Sequence, residues 1–125
     1  MSTSPIDDVS GPAAWSDRYV DIINRGAYGE LRALFSDEAV FYTPTGRTLR
    51  GADEISDFYT GFLPTLHPRV RISSRLVGAN ETMFALAAST DDEPTEFIGA
   101  VDHVTVDDTG RAVRMMVFTR PAGSP

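Results

Sequence analysis

An α+β domain is what this sequence predicts, with three helices in its first half packed on one side of a strongly curved antiparallel sheet formed by the second half. Three observations lead there. Apolar residues recur at helical spacing as far as Phe62 and then at a spacing of two from Arg69 onward. Turn-forming residues at 78–81, 91–94 and 107–110 divide the second half into long segments rich in Val, Thr and aromatic side chains. Finally, 125 residues with 42% apolar and 23% charged side chains suit one domain with a core of its own. A curved sheet with helices on one side encloses a cavity between the layers.

The elements follow in order. Residues 1–12 and 121–125 are rich in Ser, Pro and Gly and read as tails around a domain spanning 13–120. Trp15, Tyr19, Ile22 and Ile23 share one helix face, and Gly26 is placed to end that helix. A short second helix carries Leu31, Leu34 and Phe35 inward. It breaks at 36–38, before a strand over 39–43. Thr45-Gly46 turns the chain into a short strand, 47–49. The third helix covers 52–63, with Asp53 and Glu54 complementing its dipole and Ile55, Phe58, Tyr59 and Phe62 along its apolar stripe. Strands are expected over 69–77, 82–90, 96–106 and 112–119.

Composition removes several kinds of chemistry. Without cysteine there is no disulfide, thiolate metal site or thiol nucleophile, and without lysine no Schiff base or P-loop. Two histidines, His67 and His103, are too few for a His-rich metal site, so neither metal nor cofactor is expected. A net charge of -7 repels phosphate backbones and anionic lipid, which argues against nucleic-acid and membrane partners. The first residues lack a basic stretch followed by an apolar run, and no segment approaches a membrane span, so a cytoplasmic protein is expected.

The chemistry-bearing pattern lies in strand 96–106. Ile98, Ala100, Asp102, Val104 and Val106 alternate onto one face, which sets a carboxylate among apolar neighbours. Burial there raises its pKa and leaves it protonated, able to donate a hydrogen bond. The plainer reading is a partly open face with Asp102 paired to an arginine or capping a bulge. Tyr19 poses the same question, because its hydroxyl sits on a buried helix face and needs a partner, which is structural in most proteins. If the two O–H donors meet, they form an oxyanion hole. Phe84, Leu86 and Ala88, with Val113, Met115 and Val117, complete an inward apolar lining that serves equally as core.

Asp17-Arg18-Tyr19-Val20, Asn24 with Gly26, the run from Ala33 to Val40, Phe58-Tyr59 and Val101-Asp102-His103 occur in the order found in ketosteroid isomerases. The chain resembles that family from about Ala14 to Arg120, within the wider nuclear-transport-factor-2-like and SnoaL-like superfamily of cone-shaped, cystatin-like folds. The resemblance implies that Tyr19 and Asp102 are the oxyanion-hole residues, with Tyr59 supporting Tyr19 through a hydrogen bond and Asp102 held neutral in an apolar site. It also implies a steroid-like or polyketide-like carbonyl or phenol ligand, with Phe41, Tyr59, Phe84, Leu86 and Met115 as its walls.

One position departs from the family. Thr43, before Pro44, occupies the place of the aspartate that shuttles the proton, and a hydroxyl is too weak an acid and base for that task. Strand parity turns Phe41 and Thr43 to the pocket and Val40 and Tyr42 away. Asp37 and Glu38 read as surface charge, His67 as a loop residue near the mouth and His103 as an outer-face residue. Three readings follow: an isomerase using another proton carrier, a binding protein that keeps the cavity without the chemistry, and an epoxide-acting enzyme of the same superfamily. The family also implies a homodimer through the outer sheet face, to which Phe97, Val101 and His103 would contribute.

Overall fold

The structure, a computed structural model, describes residues 11–119. Residues 1–10 of the expected tail at 1–12, the expected tail at 121–125 and Arg120 lie outside the described residues, while Pro12 belongs to the fold as the first residue of helix α1, Pro12–Arg25. Proline suits this position because its missing N–H has no intrahelical partner there. Trp15, Tyr19, Ile22 and Ile23 are buried along one face of α1. Gly26 ends the helix at φ +72°, a left-handed conformation that costs glycine little. The second helix is a 3₁₀ helix, Tyr28–Leu34. Its end is tied to α1 by the indole N–H of Trp15, which donates to the Leu34 carbonyl at 2.8 Å.

Strand β1, Phe35–Tyr42, begins earlier than the sequence suggested, because Ser36, Asp37 and Glu38 continue the extended chain instead of breaking it. What breaks there is the pairing register. After β2, Thr48–Arg50, helix α2 runs Ala52–Thr60 and stops at Gly61. One further turn, α3, covers Leu63–Leu66, so the single helix expected over 52–63 is two. Strands β3 (Arg69–Val77), β4 (Glu81–Ser89), β5 (Phe97–Val106) and β6 (Ala112–Phe118) follow, each within two residues of expectation.

The sheet order is β2-β1-β6-β5-β4-β3, and β1 runs parallel to β6. The sheet is therefore mixed, which corrects the expectation of a wholly antiparallel one. Most of the domain separates β1 from β6 in sequence, and so long a connection permits a parallel pairing that a hairpin cannot make. Nor is the sheet strongly curled. The space above it is kept by α1 and α2, whose Trp15, Tyr19, Ile55 and Tyr59 stand on Phe41, Phe84, Val104 and Met115 as one core.

A β5 bulge at Gly99 decides which side chains face inward. Leu86 pairs with Ala100 but Ala87 pairs with Ile98, leaving Gly99 as the extra residue. A Cβ at Gly99 would sit 3.2 Å from that of Ala88, so glycine fits this close approach. Alternation is displaced by one beyond it. Asp102, Val104 and Val106 are buried as expected, whereas Ile98 turns out to solvent and Phe97 turns in. Phe97 thus leaves the outer face on which the sequence placed it.

Candidate functional site

Between α1, α2 and the inner sheet face lies a cavity of about 670 Å³, within the range of small-molecule sites. Its walls are mainly apolar, with Ile23, Phe41, Phe58, Leu63, Leu86 and Val117 among them. Among the polar side chains of that lining are Tyr19 from α1, Tyr59 from α2 and Asp102 from β5. Helical spacing brings Tyr19 inward with Trp15, whose ring stacks on it at 5.2 Å. Tyr59 follows Ile55 by one turn on the buried stripe of α2. Strand parity does the same for Asp102.

The two tyrosine hydroxyls lie 2.8 Å apart, and the Tyr59 hydroxyl also reaches Met115 Sδ at 3.9 Å. Two proton arrangements satisfy this geometry. In one, Tyr19 donates to Tyr59 and Tyr59 to the sulfur. In the other, Tyr59 donates to Tyr19, whose own proton then turns to the cavity.

Asp102 is 1% exposed, and neither carboxyl oxygen has a hydrogen-bond partner among the described residues. Burial without compensation pushes its pKa up to about 8, so at neutral pH it is chiefly the carboxylic acid. The plainer alternative, an arginine partner, is not found among the described residues. Burial is also the main reason both phenols hold their protons well above the ordinary tyrosine range, with the nearby Asp102 charge adding to it. The closed end of the cavity therefore presents three neutral O–H groups and, among the described residues lining it, no base that is cationic.

Among the other residues singled out by sequence, Phe41, Tyr59 and Leu86 line the cavity. Phe84 and Met115 stand behind its wall instead, Phe84 edge-on to Tyr19 at 6.1 Å and Met115 beneath Tyr59. Strand parity placed both on the inner face correctly. It carries no information about depth, and here α1 rests directly on the sheet. Thr43 is buried, but its hydroxyl oxygen accepts the Arg47 amide at 3.0 Å and meets the Thr45 hydroxyl at 3.2 Å. It closes the β1–β2 turn, and its neighbours Pro44 and Thr45 line the cavity in its stead.

His67 is exposed beside the mouth in a left-handed conformation at φ 46°, its Nδ1 3.1 Å from the Tyr28 hydroxyl. His103 is on the outer face with Glu81 Oε1 at 2.7 Å. Asp37 and Glu38 are exposed, as expected. Sequence reasoning missed Phe97 and Gly99 as lining residues, and the signal available was the lone glycine inside a strand. No cluster of described residues is suited to hold a metal ion, and no described helix is long and apolar enough to cross a membrane.

Residues 16–115 match the sequence model of the SnoaL-like domain. No curated protein matches the chain. Solved structures do. A steroid delta-isomerase from Pseudomonas aeruginosa is 22% identical, with 96% of this chain and 85% of that one covered and a TM-score of 0.71. An NTF2-like protein from Mesorhizobium loti is 15% identical over 96% and 98% of the two chains, with a TM-score of 0.74. A protein with a cystatin-like fold from Methylobium petroleophilum is 20% identical over 90% and 79%, with a TM-score of 0.70. Identities this low establish the fold they share.

Proposed function

The chain belongs to the SnoaL-like domain family, and from that premise we propose that its cavity binds a small apolar molecule by a single carbonyl or phenol oxygen. The observation that carries this reading is Asp102, a buried carboxyl whose two oxygens have no partner among the described residues, facing the same cavity as the Tyr19–Tyr59 pair. An unsatisfied buried polar group is costly, and a ligand oxygen offers the missing partner. Protonated Asp102 donates one hydrogen bond. Tyr19 donates the other once Tyr59 donates to it. This is the ketosteroid-isomerase-like manner of holding an oxygen, and it favours ligands whose oxygen carries negative charge. A steroid-like or polyketide-like skeleton fits the apolar walls.

On this reading the protein binds and polarises its ligand without shuttling a proton. The engagement of the Thr43 hydroxyl in its turn supports that choice, and the remaining carboxylates on the lining, Asp92 and Glu93, are exposed. Thr43→Asp tests it. An aspartate can accept the same Arg47 amide and keep a second oxygen free as a base. The variant is expected to move the double bond of a β,γ-unsaturated ketosteroid into conjugation, from no measurable turnover in the parent. Isomerase turnover by the parent itself would defeat the reading.

The outer sheet face supports a homodimer. Tyr42, Met116, His103, Met83 and Leu76 form a row across neighbouring strands, and the partly exposed Phe118 pairs with Val101 beside it. Covering such a face removes a large apolar patch from water. Light scattering at micromolar concentration is expected to give twice the 13.6 kDa of the chain, and a monomer mass would exclude the dimer.

A further inference from the structure

We propose that the molecule held in this cavity carries a neutral or cationic group at the end opposite its docking oxygen, and that carboxylates, phosphates and anionic conjugates are turned away. The inference rests on the oxygen-docking reading above and narrows it to a ligand class.

The chain between β4 and β5 contains Asp91, Asp92, Glu93 and Glu96. Asp91 lies 3.5 Å from the Arg69 guanidinium, and Glu96 accepts from Arg71 Nε at 2.8 Å. Neither of these two acids lines the cavity. Asp92 and Glu93 do line it, and neither forms an ion pair among the described residues. Arginines therefore neutralise the acids turned away from the cavity and leave the two at its rim uncompensated. No Arg or His is among the described residues lining the cavity.

An acidic rim alone says little about ligands. Here it borders a cavity that also holds Asp102, buried and with both oxygens unpartnered among the described residues, so the space is fitted for a guest with a polar end. A ligand long enough to fill it places its far end near Asp92 and Glu93. Low-dielectric walls focus the field of those charges into the opening, and the net charge of -7 adds to it at longer range. An anionic far end meets repulsion on entry and again when seated. A protonated amine meets the reverse. Both effects fall as salt screens the exposed rim, since the Debye length is about 8 Å at physiological ionic strength.

The test uses three probes of one shape: 4-hydroxybiphenyl bearing, at the far ring, an aminomethyl, a hydroxymethyl or a carboxylate group. Their affinities are measured by calorimetry at low salt and in 1 M salt. The amine is expected to bind about tenfold more tightly than the carboxylate at low salt, with the alcohol between them. High salt, or the Asp92→Asn/Glu93→Gln double variant at solvent-exposed positions, should draw the three affinities together. Equal affinities at low salt, a carboxylate that binds best, or a preference that survives both the variant and high salt each overturns the inference while leaving oxygen docking intact. If none of the three probes binds, oxygen docking fails and the inference falls with it.

Discussion

Raising the pH from 5 to 9 should progressively destabilise this protein, and Asp102→Asn should abolish most of that dependence. The folded-state pKa of Asp102 is raised, from 3.8 to about 8, because burial disfavours the charged form. A raised folded pKa means that the native state holds the proton more tightly than the unfolded chain. The associated stability is complete below the unfolded value near 4 and is lost as the pH rises through about 8. Each pH unit inside that window removes up to ~1.4 kcal/mol, so the whole loss is on the order of 5 kcal/mol at most. That is a large share of the ~5–15 kcal/mol that holds a typical domain together. Asparagine has nearly the same shape and no charge to lose. Urea unfolding of both proteins at several pH values is the check. The variant should be more stable than its parent by a few kcal/mol at pH 9 and similar to it at pH 5. Parallel curves would mean that Asp102 finds a partner or solvent when it ionises.

The second large effect concerns binding. Tyr19→Phe should weaken a phenolic ligand by about tenfold to a hundredfold, the scale of one hydrogen bond to a charged or strongly polar oxygen. Tyr59→Phe should cost less, because its hydroxyl acts on the ligand only through the 2.8 Å contact with Tyr19. Loss of Tyr59 leaves Tyr19 free to donate but without the donor that orients it. Fluorescence titration of each variant, with thermal melts to verify folding, separates these outcomes. Equal losses from the two substitutions would place Tyr59 in direct contact with the ligand.

Much of the fold was legible because period and face are local properties. The helical repeat through Trp15 and Tyr19, the stripe through Ile55 and Tyr59 and the alternation around Asp102 each turned a polar group inward before any contact was known. The strand at 69–77 was read to the residue. What escaped depends on long-range pairing. No local pattern records that β1 lies beside β6 in parallel, or that the Gly99 bulge exchanges Ile98 for Phe97. The stretch at Ser36–Glu38 looked like a break because its polar residues sit where the register with β6 slips. Phe84 and Met115 illustrate the limit of parity, which gives the side of a sheet and not the distance from its cavity. The resemblance to ketosteroid isomerases named Tyr19, Tyr59 and Asp102 together, and the structure gathers all three around one space. Thr43 was legible as a departure, though its engagement in the β1–β2 turn required coordinates.

A matched ligand pair would reveal whether one ligand oxygen docks against Tyr19 and Asp102, as proposed. A phenolic steroid and its counterpart lacking only the phenol hydroxyl would be titrated into the unmodified protein at pH 7, with fluorescence or displacement as the readout. The two bury the same apolar surface, so any difference reports on the oxygen. The phenol should bind at least about tenfold more tightly, as one satisfied hydrogen bond in an enclosed site requires. Equal affinity for the two would contradict it, leaving Tyr19, Tyr59 and Asp102 as parts of the core and the cavity as an apolar space with no oxygen site.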